Sequence, residues 1–186
     1  MTSYEHHFNR RGFLHKSAAG ALLSGFMIVP RHVLGGPGQT PPSEKVNLAC
    51  IGVGNRGWQL VQGMQHHNIV ALCDVDEKYL GKASERYPNA RKYNDFRKLL
   101  DWEENNIDAV VVATPDHVHV PATMMAMKMG KHCYTEKPLG HNVYEVREVT
   151  RVADRYGLAT QLGNTGHSSQ IFRGVVELIR AGTIGK

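Results

Sequence analysis

The stretch Val46–Met64, "VNLACIGVGNRGWQLVQGM", decides how the chain folds. An apolar run leads into three glycines, Gly52, Gly54 and Gly57, and a helix-period segment follows. The spacing G-x-G-x-x-G carries a mechanism only between a strand and a helix, and that is the context here. Gly52 permits a tight turn, and Gly54 has no Cβ to hold a bound group away. Gly57 lets the helix close on the strand. The helix N-terminus then offers free N–H groups and roughly half a positive charge, which suits a phosphate. Asn55 and Arg56 lie between the second and third glycines, and Arg56 adds to that field.

The next apolar run, "IVALCDVD", brings Asp74 close to the spacing of about 20 residues at which an acid meets ribose hydroxyls. Its carboxylate can accept from both hydroxyls, and with Asp76 nearby it would repel a 2′-phosphate. NAD is therefore expected over NADP. Two other readings fit the same elements: a plain glycine turn with Asp74 capping the next helix, and an S-adenosylmethionine-dependent methyltransferase.

Outward from this centre, strands and helices alternate. "EKYLGKASERYP" reads as a helix stopped at Pro88, and "ARKYNDFRKLLDWEENN" as a short strand and a helix. "IDAVVVATP" is an unbroken apolar strand, as a sheet covered on both faces requires. A helix from His119 to Gly130, the strand "KHCYTE", the helix "NVYEVREVTRVADRYG", the strand "LATQLGN" and a last helix from Ser168 complete the series. The predicted fold class is α/β, a doubly wound, mostly parallel Rossmann sheet of about six strands with helices on both faces.

Ligands of such sheets sit beyond the carboxyl ends of the strands, where strand order reverses. "ATPDHVHVP" ends the fourth strand there, "TEKPLG" the fifth and "QLGN" the sixth. Thr114, Pro115, His117, Glu136, Lys137 and Asn164 thus gather around one crevice. His117 and His119 supply only two imidazoles and no third ligand at a fixed spacing, so no metal is expected.

The Gly motif, T-P-x-H after the fourth strand and E-K-P after the fifth resemble the Gfo/Idh/MocA oxidoreductases, from Val46 to Lys186. That family is named for glucose–fructose oxidoreductase, inositol dehydrogenase and a rhizopine-catabolism protein. The resemblance implies a nicotinamide cofactor along the strand ends and a sugar or polyol substrate. It also implies that Glu136, Lys137 and Pro138 match the family's Glu-Lys-Pro, with Lys137 catalytic beside the nicotinamide ribose. Burial and the oxidised ring's charge are expected to lower the Lys137 pKa, and a cation there would stabilise a developing alkoxide. A solvated charged turn is the plain alternative.

Of the formal charge of +5, residues 1–35 contribute +3, from Arg10, Arg11, Lys16 and Arg31 against Glu5. No later basic run is interleaved with aromatics, which argues against nucleic-acid binding. Cys50, Cys73 and Cys133 lie within apolar runs and read as core residues. "NRRGFLHKSAAGALLSGFMIVP" pairs twin arginines with a mild apolar run and reads as a twin-arginine export signal. The expected products are a periplasmic protein or one anchored by an uncleaved signal. The expected domains are a signal segment at 1–35, a Gly/Pro linker at 36–45, a Rossmann domain at 46–167 and a terminal helix at 168–186. That helix would lead to a second domain, absent from this chain, which in the resembling family shapes the substrate pocket and the homo-oligomer interface. Three possibilities stay open: the cofactor-binding portion of a longer exported oxidoreductase, a stand-alone dinucleotide-binding module, or an enzyme completed by a partner chain.

Overall fold

Unbroken apolar runs need helices on both sides, and the strands of this chain are arranged accordingly. The computed structural model describes Pro41 and residues 44–185. The export-signal and linker expectations, at 1–35 and 36–45, lie almost wholly outside the described residues. The strands are β1 (Asn47–Ile51), β2 (Asn68–Cys73), β3 (Arg91–Tyr93), β4 (Ala109–Val112), β5 (His132–Glu136) and β6 (Thr160–Gly163). They form one sheet of order β3-β2-β1-β4-β5-β6, parallel throughout. The helices are α1 (Asn55–Gly63), α2 (Glu77–Arg86), α3 (Phe96–Glu103), α4 (Asp116–Lys128), α5 (Val143–Tyr156) and α6 (Gln170–Arg180). A 3-10 turn, Thr165–Ser168, precedes α6. This is the expected doubly wound α/β sheet, and strand order reverses between β1 and β4.

Alternating side chains divide the core in two. Ala49, Ile51, Ala71, Cys73, Val110, Val112 and Cys133 face one way, towards Leu99 and Leu100 of α3, Ala122, Ala126 and Met127 of α4 and Val149 of α5. Cys50, Leu72 and Val111 face the other way, towards Val61 of α1 and Leu80 and Ala83 of α2. All three cysteines are buried, and burial pushes each thiol up to about 12. Glu103 is fully buried as well. Its carboxylate accepts from the Tyr93 hydroxyl, from Arg91 and, at 3.0 Å, from Asn106 Nδ2, so the buried charge is hydrogen-bonded on both oxygens.

Local signals fix the helix ends. The side chains of Asp76, Asp95, Asn142 and Ser169 accept from Lys78 N, Arg97 N, Glu145 N and Phe172 N, at 2.8, 3.0, 2.9 and 3.1 Å. Each such cap is worth about 1 kcal/mol. Gly157 closes α5 in the left-handed conformation at φ 62°. One boundary differs from the expectation. The helix after β4 starts at Asp116, not at His119, and carries Pro121 inside it. Pro115 at the N-cap, with φ −58°, already has helical φ, and Pro121 forfeits a single bond to the His117 carbonyl. His117 and His119 therefore belong to the first turn of α4.

Two apolar surfaces stay uncovered among the described residues. Helix α6 buries no residue and exposes Ile171 (82%), Phe172, Val175, Leu178 and Ile179. On the α1 side of the sheet, a groove of about 380 Å³ runs past Leu48, Val111, Tyr134 and Gln161. No helix among the described residues is long and apolar enough to cross a membrane.

Candidate functional site

At the reversal point, three backbone segments touch. Gly52 sits at φ +82°, and a Cβ there would lie 2.5 Å from the Ala113 carbonyl oxygen. A Cβ on Gly57 would lie 2.0 Å from the Gly52 oxygen. Glycine is thus required twice, once for turn and strand contact and once for helix and turn contact. Gly54 is the N-cap of α1 and offers no capping side chain. The first intrahelical bond runs from Trp58 N to Gly54 O at 3.3 Å, so the N–H groups of Asn55, Arg56 and Gly57 precede the ladder. Asn55 takes a left-handed φ of 40°, which Asn tolerates better than most residues.

Asp74 reaches back from the end of β2. Its Oδ2 accepts from Val53 N at 2.9 Å and Gly54 N at 3.2 Å, and its Oδ1 from Asp76 N at 3.0 Å. The acid that was read as a ribose ligand thus also holds the glycine turn in shape. It does not cap α2, because Asp76 does so. The Cβ position of Gly54 is filled by the ring of Tyr79, 2.8 Å away at Cδ2. The missing side chain makes room for Tyr79, a residue the sequence reading did not single out.

Arg56 turns across the crevice. Its Nε donates to Glu136 Oε1 at 2.8 Å, its Nη1 to Gln59 Oε1 at 3.0 Å and its Nη2 to Thr165 Oγ1 at 2.5 Å. The hydrogen bond to Glu136 raises the guanidinium pKa above its ordinary value, against a smaller loss from burial. Glu136 is nearly buried, at 6% exposed, and also accepts from the Tyr134 hydroxyl at 3.1 Å. Burial first, then the Glu136 charge, pushes the Tyr134 hydroxyl up. A Cβ on Gly163 would lie 2.6 Å from the Glu136 carboxyl carbon, so this glycine makes the space that the carboxylate fills. The "LGN" triplet at the end of β6 was its only sequence signal.

The other candidates lie around the same strand ends. The Thr114 hydroxyl is buried without a partner, at the end of β4. Pro115 and His117 are exposed at the start of α4, and Asn164 is exposed after β6. The Lys137–Pro138 peptide is cis. Lys137 is exposed and makes no ion pair among the described residues, so this chain does not itself supply the burial expected to tune it. His119 is buried, with its two ring nitrogens against the carbonyl oxygens of Pro138 and Thr114. The two histidines thus point into different environments. Among the described residues no group of three or more His, Cys, Asp or Glu could hold a metal ion.

The residues present fit a dinucleotide. Two glycines let backbone crowd the turn, a helix start presents free N–H groups, an acid stands at the β2 end and a buried hydroxyl is unpartnered at the β4 end. Comparison with known proteins agrees. Residues 46–164 match the GFO_IDH_MocA family, described as "Oxidoreductase family, NAD-binding Rossmann fold". The chain is 32% identical over 171 residues to a "Glycosyl hydrolase family 109 protein" of Shewanella pealeana, covering 79% of this chain and 37% of that protein. It is 30% identical over 177 residues to the "Alpha-N-acetylgalactosaminidase" of Shewanella oneidensis, covering 81% and 38%. The crystal structure of myo-inositol 2-dehydrogenase from Lactobacillus plantarum superposes with a TM-score of 0.69 at 28% identity, covering 77% of this chain and 43% of that one. The chain spans about two fifths of the length of these relatives.

Two glycine substitutions should separate crowding from propensity. Gly57→Ala, 2.0 Å from backbone, should lower unfolding free energy by about 1–3 kcal/mol. Gly81→Ala, in α2 with nothing within 4 Å, should raise it by up to about 1 kcal/mol. Urea denaturation of the two variants beside the parent reads both, and equal effects would contradict the crowding account.

Proposed function

The chain belongs to the Gfo/Idh/MocA oxidoreductase family, with its NAD-binding Rossmann fold, and on that premise we propose that it is the cofactor-holding part of an NAD-dependent enzyme acting on a CH–OH group of a sugar or polyol. The observation that carries this reading is the Asp74 carboxylate folded back onto the N–H groups of the glycine turn at the strand-order reversal. An anion so placed keeps one acceptor position, on Oδ1, for a ribose hydroxyl and repels a 2′-phosphate, which favours NAD over NADP. The free N–H groups at the start of α1 receive the pyrophosphate, and the Thr114 hydroxyl gains a partner. Bound NAD supplies the hydride acceptor. Lys137, at the end of β5, holds a cation where a substrate oxygen gains negative charge. Arg56, already engaged by Glu136 and Thr165, ties α1 to the ends of β5 and β6 more than it serves a phosphate.

Hydride transfer needs a positioned substrate and the exclusion of water. The described residues leave Lys137 in solvent and the apolar face of α6 bare. The longer relatives support a second domain that covers both and completes the substrate site.

The similarity to a "Glycosyl hydrolase family 109 protein" favours a second outcome of the same chemistry. Oxidation of one ring hydroxyl by bound NAD would acidify the neighbouring C–H, and loss of that proton to a base would break the glycosidic C–O bond and release the aglycone as an alcohol. Water then adds and the carbonyl is reduced again, with no net redox change. A dehydrogenase accumulates NADH in step with product, whereas this route releases alcohol at a constant NADH level. Assay of the full-length relative enzyme with free polyols and with aryl glycosides distinguishes them.

For the cofactor itself, titration of the whole chain with NADH, followed by fluorescence, should saturate in the micromolar to millimolar range, with NADPH weaker. Asp74→Ala should narrow the gap between the two and loosen NADH by about tenfold or more, since a charged hydrogen-bond partner is lost. No binding of NADH by a folded sample would refute the reading.

We propose further that Arg10 and Arg11 route the chain through the twin-arginine pathway to the periplasm or the periplasmic face of the membrane. Fractionation of cells expressing the parent and the Arg10→Lys/Arg11→Lys variant tests this. Export unaffected by the double substitution would remove the assignment.

A further inference from the structure

His119 is the buried group that neither the cofactor nor the core explains. It is 1% exposed, on the first turn of α4, with Nδ1 2.6 Å from the Pro138 carbonyl oxygen and Nε2 2.8 Å from the Thr114 carbonyl oxygen. Both partners are acceptors only. A neutral imidazole carries one N–H. It would satisfy one carbonyl and set a nitrogen lone pair against the other at less than 3 Å. Two donations need a proton on each nitrogen, and both distances are at or below those of charge-assisted N–H···O bonds, about 2.7–2.9 Å.

We propose that His119 is held as an imidazolium that clasps the Thr114 turn to the Glu136-Lys137-Pro138 turn, and that this clasp positions the cofactor-facing ends of β4 and β5. Strand pairing already aligns β4 with β5 as far as Val112 and Thr135. Beyond those residues the two chains part, one into α4 and the other into the cis Lys137–Pro138 turn, and no ladder bond joins them. His119 supplies the missing tie one residue from Lys137 and directly on the backbone of Thr114. Its two bonds share one rigid ring, so they fix a separation as well as an attraction. Burial opposes the charge, and the two N–H···O bonds offset part of that cost. Packing of α4 adds to the constraint: Thr123 Oγ1 and Thr135 Oγ1 lie 2.8 Å apart across the same helix–strand contact. His119 is thus a positioning residue and touches no reacting atom.

The functional half of this inference rests on the nicotinamide reading; the protonation half does not. Nitrogen-15 NMR of the whole chain, labelled at histidine and recorded at pH 7, tests the latter with no cofactor present. For His119, assigned by its loss in His119→Asn, both ring nitrogens should resonate in the protonated range with one-bond N–H couplings. A single bare nitrogen would overturn the clasp. NADH titration of His119→Asn then tests positioning, well below its unfolding midpoint and with its circular dichroism matched to the parent. Both N–H groups of an asparagine amide sit on one nitrogen and do not span two carbonyls placed for the ring's separate nitrogens, so affinity should fall by about tenfold. An unchanged affinity in the folded variant would reduce His119 to a core residue. Failure of the parent to bind NADH would count against the cofactor reading and leave the NMR result standing.

Discussion

The contact of Gly52 with Ala113 and Gly57 is the constraint on which the rest of this fold hangs. Three backbones meet at distances that no side chain could share, 2.0 Å and 2.5 Å from where Cβ atoms would stand. That crowding seats the first turn of α1 on the end of β1 and the end of β4 beside the same turn. The reversal of strand order between β1 and β4 opens the crevice, and the glycines decide how closely its two walls approach. Asp74 completes the corner, its Oδ2 accepting the Val53 and Gly54 N–H groups that the turn would otherwise leave bare.

Charge in the crevice is mostly spoken for. Glu136, lodged against Gly163, takes Arg56 and the Tyr134 hydroxyl, and Arg56 reaches on to Thr165. This network joins α1, β5 and the turn after β6 into one rim. An ion pair with one nearly buried partner is costly to break, because the remaining charge would stay desolvated. What the rim leaves unengaged is small and specific: the Thr114 hydroxyl, the Lys137 ammonium and the first N–H groups of α1.

The parts that repeat were legible in the sequence. Apolar runs located each strand, and the glycine spacing with Asp74 located the corner, because these features have fixed periods and offsets. The helix after β4 was read from His119, whereas it begins at Asp116 and tolerates Pro121 inside α4. Arg56 read as a phosphate ligand because its partner Glu136 lies 80 residues away, and a pairing at that range leaves no pattern. Tyr79 and Gly163 matter through what they pack against, which only the folded chain defines. His119 was weighed with His117 as a metal ligand. Nothing in T-P-D-H-V-H says that the second imidazole turns inward to two carbonyls while the first stays in solvent.

The backbone character of the central corner also sets how the molecule can change over generations. A defect between side chains can be repaired by trimming or enlarging a neighbour, as volume-conserving exchanges in cores show. Where the colliding atoms are the Gly52 oxygen and the Ala113 oxygen, no neighbour has anything to trim. A lost Gly57 can be restored only by reversion or by moving the helix. Exposed side chains elsewhere can change one at a time, while this corner admits almost no path away from its present sequence.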